Sequence, residues 1–379
     1  MKTEASMIAE AKLGDNAVEE INSEAGSLRS EFTPPAIILA LTAVLTIIAF
    51  FSSDSTSHIL VMTLIWASAA TAWNIVGGFA GQISLGHAAF FGVGAYANAI
   101  LFVNYGVSPW IGMIVGMVAG GVLSLLIGIP AFRLRGPYFA LATLAAGMIM
   151  FYLSVELQDL TRGHVGMPIP YEPGLANMIF ENRWSYVVLA GAFLALCVFV
   201  SSYILRRKLG YQLAAVRDDE DAARALGVNA MRVKLIAATV SGVLVGGLGT
   251  IYGQYILYVS PNSAFGIEFS IEVLALAVVG GAGFIYGPLV GAALLVPLSN
   301  LILDQFGGGV PGLHTLIYGI VLILVVLFAP KGLWGFIQQG IDRWKLRKSR
   351  DGTSRKPAAK TPPGGPTLAT NEHEEDSHG

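Results

Sequence analysis

The chain has 379 residues, of which 54% are hydrophobic and 13% charged, with a net charge of −2 and a single cysteine. An ordinary soluble domain carries about 25% charged residues, so this composition excludes a soluble globular protein. The lone Cys197 excludes an intrachain disulfide and reads as a small apolar residue, and no nucleic-acid partner is expected.

Residues 1–35 form a polar, acidic tail with no apolar core like that of a signal peptide, closed by Pro34 and Pro35. Apolar stretches then follow one another, and between 55 and 132 there is no Asp, Glu, Lys or Arg. Stacked transmembrane helices need such a run, at about 20 residues each. The pattern predicts an all-α integral membrane protein of about ten spans: 36–52, 58–76, 83–103, 109–129, 137–155, 184–205, 233–258, 269–286, 287–303 and 313–329. The membrane domain occupies 36–335. The remainder, 336–379, is basic at first, then rich in Pro, Gly and acidic residues, and is expected to be disordered. His373 and His378 lie in that solvated tail, and no metal site is expected.

Lys and Arg concentrate on the cytoplasmic side of membrane proteins. With the N-terminus inside and alternating spans, 21 of the 23 basic residues lie inside. Only Arg162 and Arg183 remain outside, in the longest external loop. Both termini are therefore expected in the cytoplasm.

Two stretches interrupt the apolar pattern with glycine. In Trp73–Tyr96, six glycines accompany Asn74, Gln82, Ser84 and His87. Polar groups at membrane depth face a cavity or a partner, and glycine-broken apolar segments point to a transport site. Together with Thr143, these four side chains are the candidate substrate pathway. The second stretch runs through Gly280, Gly281, Gly283 and Gly287, and broken or re-entrant helices are expected in both.

The longest charged interruption is Leu209–Lys234. Asp218, Asp219, Glu220 and Asp221 suit a helix start, Ala222, Ala223, Ala225 and Leu226 favour helix, and Gly227 suits the turn after a helix end. A short cytoplasmic helix over about 218–226 is predicted within the segment 206–232. Its Ala and Leu side chains would offer an apolar face, and Arg217 and Arg224 would reach acidic groups on a partner.

Enzyme motifs are missing from the sequence: no phosphate loop of the form GxxxxGK[ST], no GxSxG, no HExxH and no CxxC. Glu268 and Glu272, four apart near the outer surface, read as solvated acids. No span places an acid at its midpoint, as a proton-coupled carrier would require.

Several motifs in order resemble one family. They are Trp73-Asn74 with the following GGFAGQISLGHAAFFGVGAY, Gly136–Leu144, the charged segment ending in Leu226-Gly227, Tyr258–Pro261, Phe269–Glu272 and Gly280–Leu294. The chain resembles the branched-chain amino acid ABC transporter permeases of the LivM type over about 58–335. The resemblance implies an ABC importer permease fold in the inner membrane, with 206–232 as the coupling segment. Arg217, Asp218, Asp219, Glu220, Asp221, Ala223, Arg224, Leu226 and Gly227 would then meet the ATPase. The implied partners are a second, LivH-type permease, two cytoplasmic ABC ATPases, an extracytoplasmic substrate-binding protein and membrane lipid. The chain would be non-catalytic and hold no cofactor, with ATP bound by the ATPases, and the implied cargo is a branched-chain or related amino acid. The alternatives are a permease for urea or short amides and, in another class, an ion-coupled carrier or channel. Where the family shows Thr-Gly-Gly-polar-x-Gly in the external loop, this chain has Thr161-Arg162-Gly163-His164-Val165-Gly166.

Overall fold

A computed structural model describes residues 35–306 and, beyond them, 316, 319–320, 323 and 332–335. The apolar stretches are helices: α1 (Pro35–Phe51), α2 (Asp54–Asn74), α3 (His87–Tyr105), α4 (Pro109–Ala131), α5 (Pro137–Glu156) and α6 (Arg183–Arg206). The charged segment holds α7 (Lys208–Asp218) and α8 (Glu220–Ala225), and the chain continues through α9 (Ala230–Ile256), α10 (Pro261–Phe265), α11 (Ile267–Gly280) and α12 (Gly287–Phe306). Among the described residues seven helical stretches are long and apolar enough to cross a membrane, α10 and α11 counting together as one, and Ile38–Phe51 and Gly287–Asn300 are shorter apolar helices. Of the expected span at 313–329 only 316, 319–320 and 323 are described, and the tails at 1–34 and 336–379 fall outside the described residues.

Local chemistry fixes the helix boundaries. Proline occupies the first turn of α4, α5 and α10, where its missing N–H costs nothing. Ser53, Asn229 and Ser260 cap α2, α9 and α10 with side-chain oxygens that accept backbone N–H groups, as short polar side chains do at helix starts. Two expected spans are bounded differently from the reading. The third begins at His87 rather than 83, because α2 ends in a π-helical turn, Ile75–Phe79, and 80–86 is not helical. The eighth stops at Gly280, with 281–286 forming a turn.

The interior is built around α2, 78% of whose most apolar window is buried, while α5, at 22%, lies at the edge. A second seam joins α3, α4 and α9 through glycine. A Cβ on Gly94 would overlap the Gly246 carbonyl, and one on Gly120 would overlap the Gly242 carbonyl. With no side chain in the way, these backbones come into direct contact, the packing that small residues give membrane helices.

The 157–182 connection is pinned to the α9–α10 turn. β1 (Met167–Pro168) pairs antiparallel with β2 (Tyr258–Val259), in register Met167 to Val259 and Pro168 to Tyr258. The Tyr258 hydroxyl donates to the Val165 carbonyl at 2.6 Å. Thr161 Oγ1 donates to the Leu157 carbonyl at 2.8 Å and accepts from Gly163 N at 3.2 Å. Arg162 adopts φ +61°, a left-handed conformation that costs an L-residue about 1–2 kcal/mol. It stands where the family pattern has glycine.

Candidate functional site

The polar side chains around the helix break fall into two groups, one at Asn74 and one at Ser84 and His87. Asn74 is 1% exposed and serves as a two-way clip: its Oδ1 accepts from Gly283 N at 2.8 Å and its Nδ2 donates to the Phe284 carbonyl at 2.8 Å. The break after α2 is thereby tied to the turn between α11 and α12. Backbone meets backbone at the same place, since a Cβ on Gly78 would collide with Gly283 N.

His87 opens α3 and bridges in the other direction. Its Nε2 lies 2.9 Å from Ser241 Oγ of α9, and its Nδ1 lies 3.1 Å from Ser84 Oγ. Ser241 donates its only proton to the Ala72 carbonyl at 2.7 Å, so it accepts from His87 Nε2–H. In the neutral tautomer so assigned, Nδ1 accepts from Ser84. Thr143 of α5 accepts from Leu85 N at 3.1 Å and donates to the Ala140 carbonyl at 2.9 Å. The Trp73 indole donates to the Ser84 carbonyl at 2.8 Å. Of the five residues expected in the pathway, the structure brings Ser84, His87 and Thr143 together; Asn74 turns instead to the 281–286 turn, and the Gln82 side chain donates to the Ala80 carbonyl at 3.3 Å. Asn74, Ser84, His87 and Thr143 are buried, and Gln82 alone of the five is partly exposed.

Ser84, His87, Thr143 and Ser124 line a small cavity of about 20 Å³ whose other walls are apolar, Phe90, Phe132 and Phe139 among them. Ser124 Oγ has no partner among the described residues. A larger cavity, about 200 Å³, opens between the start of α3, α5 and the α10–α11 corner. Leu144, Met148 and Phe151 give it an apolar wall, and Asn262 and Glu268 stand at its polar side. Glu268 is exposed, in keeping with the solvated acid read from the sequence, and the corner at Gly266 sets it at the rim of this cavity.

The charged segment differs from the single helix expected over 218–226. It is two helices, α7 and α8, broken at Asp219, whose backbone is extended at φ −154°. Asp219 Oδ1 accepts from Asp221 N at 2.9 Å and Ala222 N at 3.0 Å. The carboxylate caps α8, and this capping competes with continued helix. Asp218 ends α7 rather than starting a helix. Gly227 takes φ +84° after the α8 end, the role its position suggested.

The orientation of the segment also corrects the sequence reading. Ala223 is 2% exposed and packs with Val216 and Ala230, so it does not belong to an outward apolar face. That face consists of Ala222, Ala225 and Leu226, with Leu226 85% exposed. Arg224 pairs with Glu220 one turn back at 2.5 Å. Arg217 lies against Asp218 at 3.2 Å and against the α2 break. Two partners were missed. Arg135 in the α4–α5 connection holds Asp221 through bonds of 3.0 and 2.9 Å. Its hydrogen bond, and then its charge, hold the Asp221 carboxyl below the usual carboxylate range. Lys234, 1% exposed, pairs with Glu220. A lysine on the buried side of an apolar helix was the available signal, since it needs a counter-charge.

Residues 55–326 match the family described as "Branched-chain amino acid transport system / permease component". The high-affinity branched-chain amino acid transport system permease proteins LivM of Salmonella typhimurium and Escherichia coli are each 30% identical over 320 residues, covering 78% of this chain and 74% of theirs. A probable branched-chain amino acid transport permease protein LivH of Methanocaldococcus jannaschii is 22% identical over 269 residues, covering 68% of this chain and 82% of its own.

Proposed function

Because this chain belongs to the family of permease components of branched-chain amino acid transport systems, we propose that it forms one half of the membrane pathway of an ATP-driven importer. The observation that carries this reading is the family match over 55–326, which spans both glycine-broken segments and the charged segment between them. The other half is a second permease, two cytoplasmic ATPases supply the energy, and a binding protein outside delivers the solute. The charged segment and both termini face the cytoplasm, with the tails at 1–35 and 336–379 flanking the membrane domain 36–335.

The solute route runs along the exposed side of α5, the least enclosed span. The cavity of about 200 Å³ beside it suits a branched-chain amino acid. Leu144, Met148 and Phe151 take the apolar side chain, while Asn262 and Glu268 meet the ammonium end. Asn74, Gln82, Ser84, His87 and Thr143 hold and wall the broken segment beside this route. The outward face of Ala222, Ala225 and Leu226 docks on an ATPase.

The test is reconstitution of the whole complex in proteoliposomes. ATP-dependent uptake of labelled leucine, inhibited by isoleucine and valine, is the expected result. Uptake of a nucleoside or urea without leucine, or leucine uptake without ATP, would contradict it.

A further inference from the structure

Three interruptions in the helices meet at one side chain. The first is the break after α2, the second is the turn between α11 and α12, and the third is the kink between α7 and α8 at Asp219. Arg217 lies at their junction. It sits in the last turn of α7, next to the kink. A Cβ on Gly81 would lie 2.7 Å from Arg217 Cγ and 3.5 Å from its Cα, so the stem of Arg217 and the α7 backbone press against the α2 break. One terminal nitrogen lies 3.5 Å from the Gly78 carbonyl, and a Cβ on Gly283 would lie 3.1 Å from the same nitrogen. Gly81 and Gly283, at φ +67° and +89°, occupy conformations that L side chains rarely adopt. The Asn74 clip closes the triangle by bonding the Gly283 and Phe284 backbone to α2.

One terminal nitrogen of the guanidinium therefore lies on the membrane domain, its Nε lies against Asp218, and the side chain as a whole is 42% exposed. The outward docking face lies elsewhere, on α8. This division separates two tasks within one segment: α8 with Leu226 contacts the partner, and Arg217 passes its displacement inward. A fork-shaped, permanently charged group suits this task, because it can meet a carboxylate and a backbone carbonyl together.

We propose that Arg217 is the positioning residue that makes the charged segment and the two broken-helix turns move as one body. Motion imposed on α8 then reaches the segment 75–87 and the turn 281–286 together. The proposal rests on the ATP-driven reading above and does not depend on which solute is carried.

The experiment compares Arg217→Ala and Arg217→Lys in the complete transporter, reconstituted with its ATPases, second permease and binding protein. Arg217→Ala is expected to reach the membrane and retain its ATPases in normal amount. ATP hydrolysis should stay within about twofold of the parent, while uptake falls at least tenfold and stimulation of hydrolysis by the binding protein disappears. Lysine, which keeps the charge and can donate to the Gly78 carbonyl, is expected to restore part of the uptake. A second readout uses spin labels on cysteines placed at Gln82 and Ala225. With Arg217 present, the distance between them stays fixed on ATP binding; with alanine it shifts or broadens. Full uptake by Arg217→Ala, or a nucleotide-dependent 82–225 distance in the parent, would overturn the proposal. So would loss of uptake only in proportion to lost ATPase, which would make Arg217 a docking or folding residue. If the solute reading is the one that fails, the parent complex shows no leucine uptake, and binding-protein stimulation and the spin-label distances still decide.

Discussion

Lys234 Nζ and the Glu220 carboxylate form an ion pair that joins the first turns of α9 and α8, with the two side chains 1% and 17% exposed. Glu220 is shared with Arg224 on its own helix. The position of α8 relative to the membrane domain therefore depends on a contact withdrawn from water. Removing one member of such a pair leaves an uncompensated charge, at a cost of about 3–5 kcal/mol. Lys234→Ala and Glu220→Gln should each lower the thermal midpoint of the purified complex, whereas Lys234→Met combined with Glu220→Gln should recover most of the loss. A double variant as unstable as the two single losses added together would show that the charges act independently.

Asn74 makes a second prediction. Asn74→Ala removes the partner of Gly283 N and of the Phe284 carbonyl, and each group left unsatisfied costs about 1–3 kcal/mol. The variant is expected to unfold earlier, with faster hydrogen exchange confined to the turn 281–286 and the break 75–82. Asn74→Asp keeps the acceptor for Gly283 N but sets a buried carboxylate with no counter-charge against the Phe284 carbonyl oxygen, so it should be the more damaging change. Unaltered exchange in the 281–286 turn of Asn74→Ala would refute the clip.

The pairing of Arg135 with Asp221 fixes the sign of a pH effect. The folded carboxyl lies below its ordinary value of about 3.9. The stabilisation is then fully present above about pH 3.9 and fades only as pH falls through the lower folded value. Both side chains are exposed, so water screens the pair. ATPase retention should not change between about pH 8 and pH 5 on account of this contact, as co-purification across that range can measure. A transition near pH 6 that vanishes in Arg135→Gln would contradict the assignment.

Much of this architecture was legible in residues taken singly. The charge-free run 55–132 required spans, Gly227 marked a helix end that takes φ +84°, and the polar residues among the glycines at 74–87 marked the helix break. What stayed hidden depends on which way a helix faces. Four consecutive acids at 218–221 could each start a helix, and only packing decides that Asp219 does so. Ala222 and Ala223 are chemically identical, yet one is exposed and the other buried under Val216 and Ala230. Arg217 and Arg224, 42% and 46% exposed, also have intrachain partners, Gly78 and Glu220, and that at Gly78 comes from a distant break that the sequence does not place. The α10–α11 corner that brings Glu268 to an apolar cavity is likewise a tertiary feature.

On the proposed function, the charged segment is a cytoplasmic docking surface for an ATPase. Single cysteines at positions 160 and 226 test it most directly, in a background with the buried Cys197 replaced by serine. Leu160 and Leu226 are 48% and 85% exposed, so neither substitution disturbs packing. In intact cells an impermeant thiol reagent should label position 160 and leave 226 unlabelled. In membranes of the assembled transporter, a short crosslinker at 226 should capture the ATPase subunit. Labelling of 226 from outside, or free modification of 226 in the assembled complex with no ATPase captured, would contradict the account.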